Sequence, residues 1–407
     1  MTGSLKTKFF SVWIIFLSLF LTSSAFGAGF QLFNELSARA TSLSTAITAR
    51  GDLVESAWFN PAASSMFEKP KLLTGMAMVI PNMRLETDYD EYDMKDKIYP
   101  IPYFYGATPL GDKFGLSMAI NMPYGLTTEW HNDWIGKYYA VYTELRCLYI
   151  SPAVSIKPFD WLAFSAGPNF VYATADMRRA VSPRVPGLKT NMNGEDWAYG
   201  YTVSMLVKPL KDWTFGVTYH SQVDIGLEGK ARYSMALPPF PKSRMHLDVS
   251  IPRTVSIGIA TTFIKNLTIS LDIDWTDWSS YESLDFEYEK TPGTARPGVI
   301  SVPRNWEDAW AFRIGAEYVY EKWQFRLGYA FDMSPIEDEY REPTLPTNDR
   351  HVFSFGLGWN YNQHLGADIA YSYVLVENGG TSPLTPTLDG TYKGDAHVIN
   401  MAVRWDF

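Results

Sequence analysis

The chain has 407 residues, of which 46% are hydrophobic and 15% aromatic, and it carries a formal charge of −9 and a single cysteine, Cys147. The acidic balance leaves no electrostatic footprint for nucleic acid, and a lone cysteine excludes an intrachain disulfide framework or a cysteine-rich zinc site. The six histidines fall in no recognisable pattern with a serine nucleophile, so no catalytic group, metal or cofactor is expected.

The first predicted element is a leader over residues 1–27. Lys6 and Lys8 form a basic start, Phe9 to Leu21 is an apolar run, and Ala25-Phe26-Gly27 offers small residues for cleavage after Gly27. The run is broken by Ser11 and Ser18 and falls short of the roughly 20 apolar residues of a membrane-spanning helix.

Residues 28–70 have a different character. Ser37 to Ala49 is rich in Ala, Ser and Thr and suits one or two short helices, while Trp58 and Phe59 require burial. A disordered arm is a poor alternative, because disordered segments lack aromatics. The segment is expected as a plug, or hatch, inside whatever residues 71–407 build.

From residue 71 onward the period is two. Leu267, Ile269, Leu271, Ile273 and Trp275 alternate with Thr268, Ser270, Asp272 and Asp274; Trp310 to Tyr318 and Trp323 to Phe331 repeat the pattern. Strands are expected to start near Lys71, Ile98, Lys113, Arg146, Trp161, Ala198, Trp213, Ile251, Leu267, Asp308, Trp323, His351, Leu365 and His397. About fourteen strands, an even number, suit a single-chain antiparallel barrel. Short links such as Lys265-Asn266 alternate with long stretches at residues 124–144, 178–196, 226–250, 279–307, 333–350 and 376–396, which are expected as extracellular loops.

The last strand, His397 to Phe407, is apolar on one face and polar on the other and ends on an aromatic, the ending typical of proteins assembled into bacterial outer membranes. The polar faces carry Gly and small residues suited to a lumen, which separates this pattern from a soluble barrel with an apolar interior. The expectation is an all-β, transmembrane antiparallel β-barrel of the outer membrane of a Gram-negative bacterium, surrounded by lipid and lipopolysaccharide. Arg404 and Asp406 are expected at the periplasmic rim as supports of the plug.

Ala28-Gly29-Phe30-Gln31-Leu32 followed by Asn60-Pro61-Ala62 resembles the N-terminus and hatch motif of the FadL family of outer-membrane long-chain fatty-acid transport proteins. Tyr124-Gly125-Leu126-Thr127-Thr128-Glu129, Trp275-Thr276-Asp277-Trp278-Ser279 and Phe325 to Pro335 resemble further family blocks in the family's order, so the likeness spans nearly the whole mature chain. It implies a monomeric fourteen-stranded barrel with a hatch, which captures a hydrophobic small molecule from outside and releases it through a gap in the wall.

Carried over by position, the resemblance puts Phe30 in a tight apolar pocket, makes Asn60, Pro61 and Ala62 the gating turn of the hatch, and makes Pro123, Tyr124 and Gly125 the kink that opens the wall. On its own, an Asn-Pro pair is a turn signal and a Pro-Gly stretch a strand end. Arg179 matches a cation that meets the ligand carboxylate, and the family's second cation is replaced by Val302, with Arg304 two residues on. Either Arg304 substitutes or the ligand has no carboxylate; surface salt bridging is the ordinary role of both arginines. The implied cargo is long-chain fatty acid, with neutral aromatic hydrocarbons as the alternative. A general porin fits less well, because an open channel has no reason to carry a plug.

Overall fold

The computed structural model describes residues 29–235, 237 and 240–407; the expected leader and its cleavage position lie outside the described residues. In chain order the strands are β1 (Lys71–Glu86), β2 (Glu91–Asp93), β3 (Tyr99–Leu110), β4 (Phe114–Glu129), β5 (Tyr142–Phe159), β6 (Leu162–Ala180) and β7 (Lys189–Leu210). Then come β8 (Trp213–His220), β9 (Val223–Tyr233), β10 (Ser243–Ile251), β11 (Thr254–Ile264), β12 (Leu267–Thr276), β13 (Ser283–Tyr288) and β14 (Gly298–Pro303). The last are β15 (Ala309–Tyr320), β16 (Trp323–Asp332), β17 (Arg350–Asn360), β18 (Leu365–Gly380) and β19 (Thr391–Asp406).

Fourteen of these close a ring. β1 pairs with β3 on one side and with β19 on the other, β8 passes directly to β11, and β12 to β15, so that β2, β9, β10, β13 and β14 stand outside the circuit. All pairings are antiparallel. The alternation that identified the strands also gives their sides: Phe312, Ile314 and Tyr318 are exposed to the lipid face, whereas Arg313 and Glu317 between them are buried in the lumen.

Several segments read as loops are strand. β4 runs on to Glu129, β5 begins at Tyr142 rather than Arg146, β7 at Lys189 rather than Ala198, and β19 at Thr391 rather than His397. Residues 226–250 and 279–307 hold β9 with β10 and β13 with β14, which extend the sheet beyond the barrel. Their alternation is present in the sequence, in Val223, Ile225 and Leu227 and in Leu247, Val249 and Ile251, but the great length of the connections masked it.

Residues 29–67 fill the lumen. A 3-10 turn (Phe33–Glu35) leads to α1 (Ala38–Ser42), whose N-terminus is capped by Ser37 accepting from the Ala40 amide at 3.0 Å. After α2 (Ser56–Phe59), a second 3-10 segment (Pro61–Met66) runs to the wall. Lumen-facing glycines let the hatch backbone come close: a Cβ at Gly216 would sit 2.2 Å from the Thr48 carbonyl oxygen, and one at Gly328 would sit 2.4 Å from the carbonyl carbon of Leu43.

Buried ion pairs hold the hatch to the wall. Asp368 on β18 accepts from Arg326 at 2.8 Å and Arg404 at 2.8 Å and lies 3.6 Å from Arg39 of α1. Glu317 on β15 bridges Arg326 at 2.5 Å and Arg50 of the hatch at 2.6 Å. Arg404 thus stands beside the hatch, while Asp406 pairs with Lys71 at 3.7 Å at the start of β1. Such groups stabilise only as a complete set, since a buried charge without its partner is costly.

Candidate functional site

The ladder between β3 and β4 is incomplete. It runs from Leu110↔Phe114 to Phe104↔Ile120 and stops, leaving Tyr99–Tyr103 of β3 without a partner on β4. Pro100 and Pro102 on β3 and Pro123 on β4 bring no amide hydrogens to this stretch. On the other side of β4, two residues, Met122 and Pro123, oppose the single Leu148 of β5, because Asn121 pairs with Tyr149 and Tyr124 already with Cys147. Such a bulge bends and twists the strand. Above the break the wall closes again, with the Lys95 amide donating to the Glu129 carbonyl at 2.8 Å.

The vacated edge of β4 is taken by the start of the hatch. The Leu32 amide donates to the Pro123 carbonyl and the Gly125 amide to the Phe30 carbonyl, both at 2.8 Å, with Gln31 opposite Tyr124. Leu32 packs in an apolar cluster with Val79, Ile101 and Met122. The structure therefore brings Phe30 and the Pro123, Tyr124 and Gly125 stretch together.

On the extracellular side of this arm lies an apolar cleft. Phe30 forms part of its wall with Leu126, Leu247, Leu284, Trp306 and Leu345. The Phe30 ring meets Trp278 edge-on at 4.7 Å between centroids, Tyr281 at 5.8 Å and Trp306 at 5.9 Å. About 60 Å³ of the cleft is free, far below the roughly 300–1,000 Å³ of an open ligand site, so these side chains would have to part before a ligand could enter. The aromatic lining came from stretches read as loops, and its sequence signal was the alternation of Leu247 with Val249 and the concentration of Trp278, Tyr281 and Trp306.

Arg304 lines this cleft and is buried. Its guanidinium donates to Glu342 at 2.8 Å. Burial works against its charge, but Glu342 and the Tyr281 hydroxyl hold its pKa above the ordinary arginine value. Arg179 is elsewhere. It sits near the tip of β6 opposite Thr190, exposed, in a separate polar concavity with Arg178, Lys189 and Arg232. Met177, which lines the cleft, is two residues before Arg179 on the same face of β6, so Arg179 stands about 7 Å beyond the lining.

The Asn60 side chain donates to the carbonyls of Thr48 at 2.9 Å and Met205 at 3.0 Å, and the Ala62 amide donates to the Ser204 hydroxyl at 3.1 Å. Pro61 starts the 3-10 segment at the position its fixed φ favours. The turn is thus anchored on β7, three strands along the wall from β4. Its link to the cleft is aromatic: Trp58 stacks on His220 at 4.3 Å and meets Tyr149 edge-on at 5.4 Å, and Tyr149 in turn faces Tyr124 at 6.1 Å. Phe33 joins Trp58 and Phe59 to Tyr124.

Comparison with known proteins matches residues 18–407 to the model of the outer membrane protein transport proteins (OMPP1/FadL/TodX). A long-chain fatty acid transport protein of Salmonella typhi is 26% identical over 396 residues, spanning 87% of this chain and 89% of that protein. A solved FadL homologue of Pseudomonas aeruginosa is similar in fold with a TM-score of 0.81 at 20% identity, over 93% of this chain and 99% of that one. The toluene transporter TbuX of Ralstonia pickettii is similar with a TM-score of 0.72 at 15% identity, over 92% and 99% of the two chains.

Proposed function

Because the chain belongs to the OMPP1/FadL/TodX family of outer-membrane transport proteins, we propose that it takes up long-chain fatty acids and delivers them sideways, through the break between β3 and β4, into the bilayer. The protein is an outer-membrane barrel that transports hydrophobic compounds, and proteins of this family are non-enzymatic channels. An acyl chain gains nothing from a watery pore, since its transfer is favourable only between apolar surroundings. A lateral route keeps it in such surroundings throughout.

The observation that supports this reading is the replacement of β3 by the hatch arm along Pro123–Gly125. Withdrawal of Phe30 and Leu32 would open the cleft floor and the wall in one movement, since both residues belong to the same short arm. On this reading residues 1–27 are removed, residues 28–70 act as plug and residues 71–407 as barrel, and the molecule works as a monomer because one chain closes the wall.

The fatty-acid assignment rests on Arg304, a buried cation in an apolar cleft, and on the likeness to the long-chain fatty acid transport protein of Salmonella typhi. A carboxylate would take the place of Glu342 on the guanidinium. Neutral hydrocarbons are the second reading, favoured by the fact that Glu342 already neutralises Arg304. Uptake of labelled oleate and of labelled toluene by cells lacking their own transporters separates the two. Saturable oleate uptake that requires this chain supports the first; uptake of toluene alone rejects it.

A further inference from the structure

The walls of the closed cleft differ in how firmly they are held. β4, β5 and β6 belong to the barrel ladder, and β9 is joined to β10 by nine residue pairs and to β7 by six. Residues 336–345 are wrapped around Arg341, which is buried and donates to the carbonyls of Thr347 at 2.9 Å, Ile336 at 3.0 Å and Gly380 at 3.1 Å. Trp130 and Thr128 hold the same loop from the end of β4, through the carbonyls of Pro343 at 2.9 Å and Thr344 at 3.1 Å.

The hairpin of β13 and β14 is the exception. Four residue pairs, Met245↔Tyr288 to Asp248↔Asp285, join it to β10, and among the described residues β14 has no ladder on its other edge. Its inner face is apolar, with Leu284 in the cleft wall and Phe286, Ile300 and Val302 packed in the same core, while Glu287, Val299 and Ser301 are exposed. Below the covering sheet the strands are interrupted, and the interruptions lengthen toward the free edge. Ser221 and Gln222 separate β8 from β9, and Pro252 and Arg253 separate β10 from β11, whereas residues 277–282 lie between β12 and β13 and residues 304–308 between β14 and β15. The two longer links are bonded to each other: the Ser279 amide donates to Asp308 at 3.1 Å and the Arg304 amide to the Glu282 carbonyl at 2.7 Å. Asn305 has φ +43°, a left-handed conformation that ends the run of extended chain after β14.

We propose that the β13–β14 hairpin is the lid through which cargo enters the cleft, swinging away from residues 336–345 about its ladder with β10, and that Arg304 and Glu342 are its latch. The inference rests on the reading of the cleft as the cargo's site. The links argue for the pivot, since they are short where the sheet continues from β7 and long at the edge that has to travel. The latch is the 2.8 Å ion pair between the foot of β14 and the fixed loop. Nearer the barrel, the Glu307 amide on the Pro335 carbonyl at 2.9 Å holds the end of the link in place. A buried guanidinium without its partner is costly, so once the pair is broken Arg304 gains by reaching water, which favours the open lid.

Val249→Cys in a Cys147→Ser background puts one thiol in the cleft wall, on the pivot strand β10. Its reaction with pyrene maleimide, in the full-length protein in detergent, measures how often the cleft opens to a bulky apolar molecule. Glu342→Gln is expected to raise the labelling rate about tenfold, the worth of one charge-assisted hydrogen bond, and the exchanged pair Arg304→Glu/Glu342→Arg to bring it back toward the starting value. Spin labels on Ser301 of β14 and Glu339 of the loop are expected to show a longer-distance population in Glu342→Gln, and labels on Asp248 of β10 and Glu339 an unchanged distance. Equal labelling rates with and without Glu342→Gln overturn the proposal. So does faster labelling with the Ser301 to Glu339 distance fixed, because a different wall then opens. No fatty acid enters either measurement, so a lid that opens as expected in a chain that fails to take up oleate would remove the cargo assignment and leave the lid standing.

Discussion

Gly125 donates its amide to the carbonyl of Phe30 at 2.8 Å, one of the two main-chain hydrogen bonds that tie the bulged wall strand to the arm carrying the aromatic floor of the cleft. A shift of either residue moves the other. The relationship gives the arm two duties, since Phe30 closes the cleft and its neighbours stand in for the missing β3 ladder.

Bulk at Gly125 is expected to disturb this joint. A Cβ there would lie 3.0 Å from the Leu145 carbonyl and 3.4 Å from Leu32, so Gly125→Val forces the arm off the strand edge. Uptake is expected to fall at least tenfold while the barrel keeps its heat-modifiable mobility. Wild-type uptake by the folded variant would show that the arm plays no part in release.

Arg304 and Arg179 are expected to behave differently. Arg304→Ala should weaken binding of a long-chain fatty acid by about 1.5–3 kcal/mol, the range of a charge-assisted hydrogen bond, and leave a neutral alkane unaffected. Glu342→Gln should tighten fatty-acid binding by freeing the guanidinium, and Arg179→Ala should change neither. Calorimetric titration of the purified variants checks all three, and an equal loss for acid and alkane in Arg304→Ala would make that residue structural.

Asp368 holds three arginines, one of them in the hatch. Asp368→Ala leaves their charges buried without this partner and is expected to cost about 3–5 kcal/mol, read from the urea midpoint in lipid vesicles. Trypsin should then cut at Arg39, which is held by Asp368 and Glu55 in the intact protein. Resistance equal to wild type would mean that the hatch is retained by packing alone.

Gly328→Ala tests that packing, because the added methyl meets the hatch backbone at 2.4 Å. Faster hydrogen exchange across Leu43 to Thr48 is expected. Gly111→Ala is the control: its site is open, its φ is +66°, and only about 1 kcal/mol of backbone cost is expected.

The barrel was legible because a two-residue period survives even where strands are long, as in Trp310 to Tyr318, and because lumen faces betray themselves by Arg, Asp and Gly between lipid-facing aromatics. Strand tips were less legible. Residues 226–250 read as a loop from their length and charge, yet their alternate residues build both the cleft cover and the charged outer face. Position along the sequence could not place Arg179, because two residues of strand separate it from Met177 in the cleft lining. The break in the ladder was hinted at by Pro123 and Gly125, but pairing is a property of two strands, and the arm that fills the gap comes from a segment distant in sequence.

The most direct test is to tie the break shut. Cysteines at Ile101 and Met122, which flank it and share one apolar cluster, are joined by a reducible bifunctional reagent in a Cys147→Ser background. Oleate transfer into liposomes is then measured before and after reduction. The lateral route requires transfer to fall to background when the strands are joined and to return on reduction. Full transfer with β3 and β4 joined would contradict it.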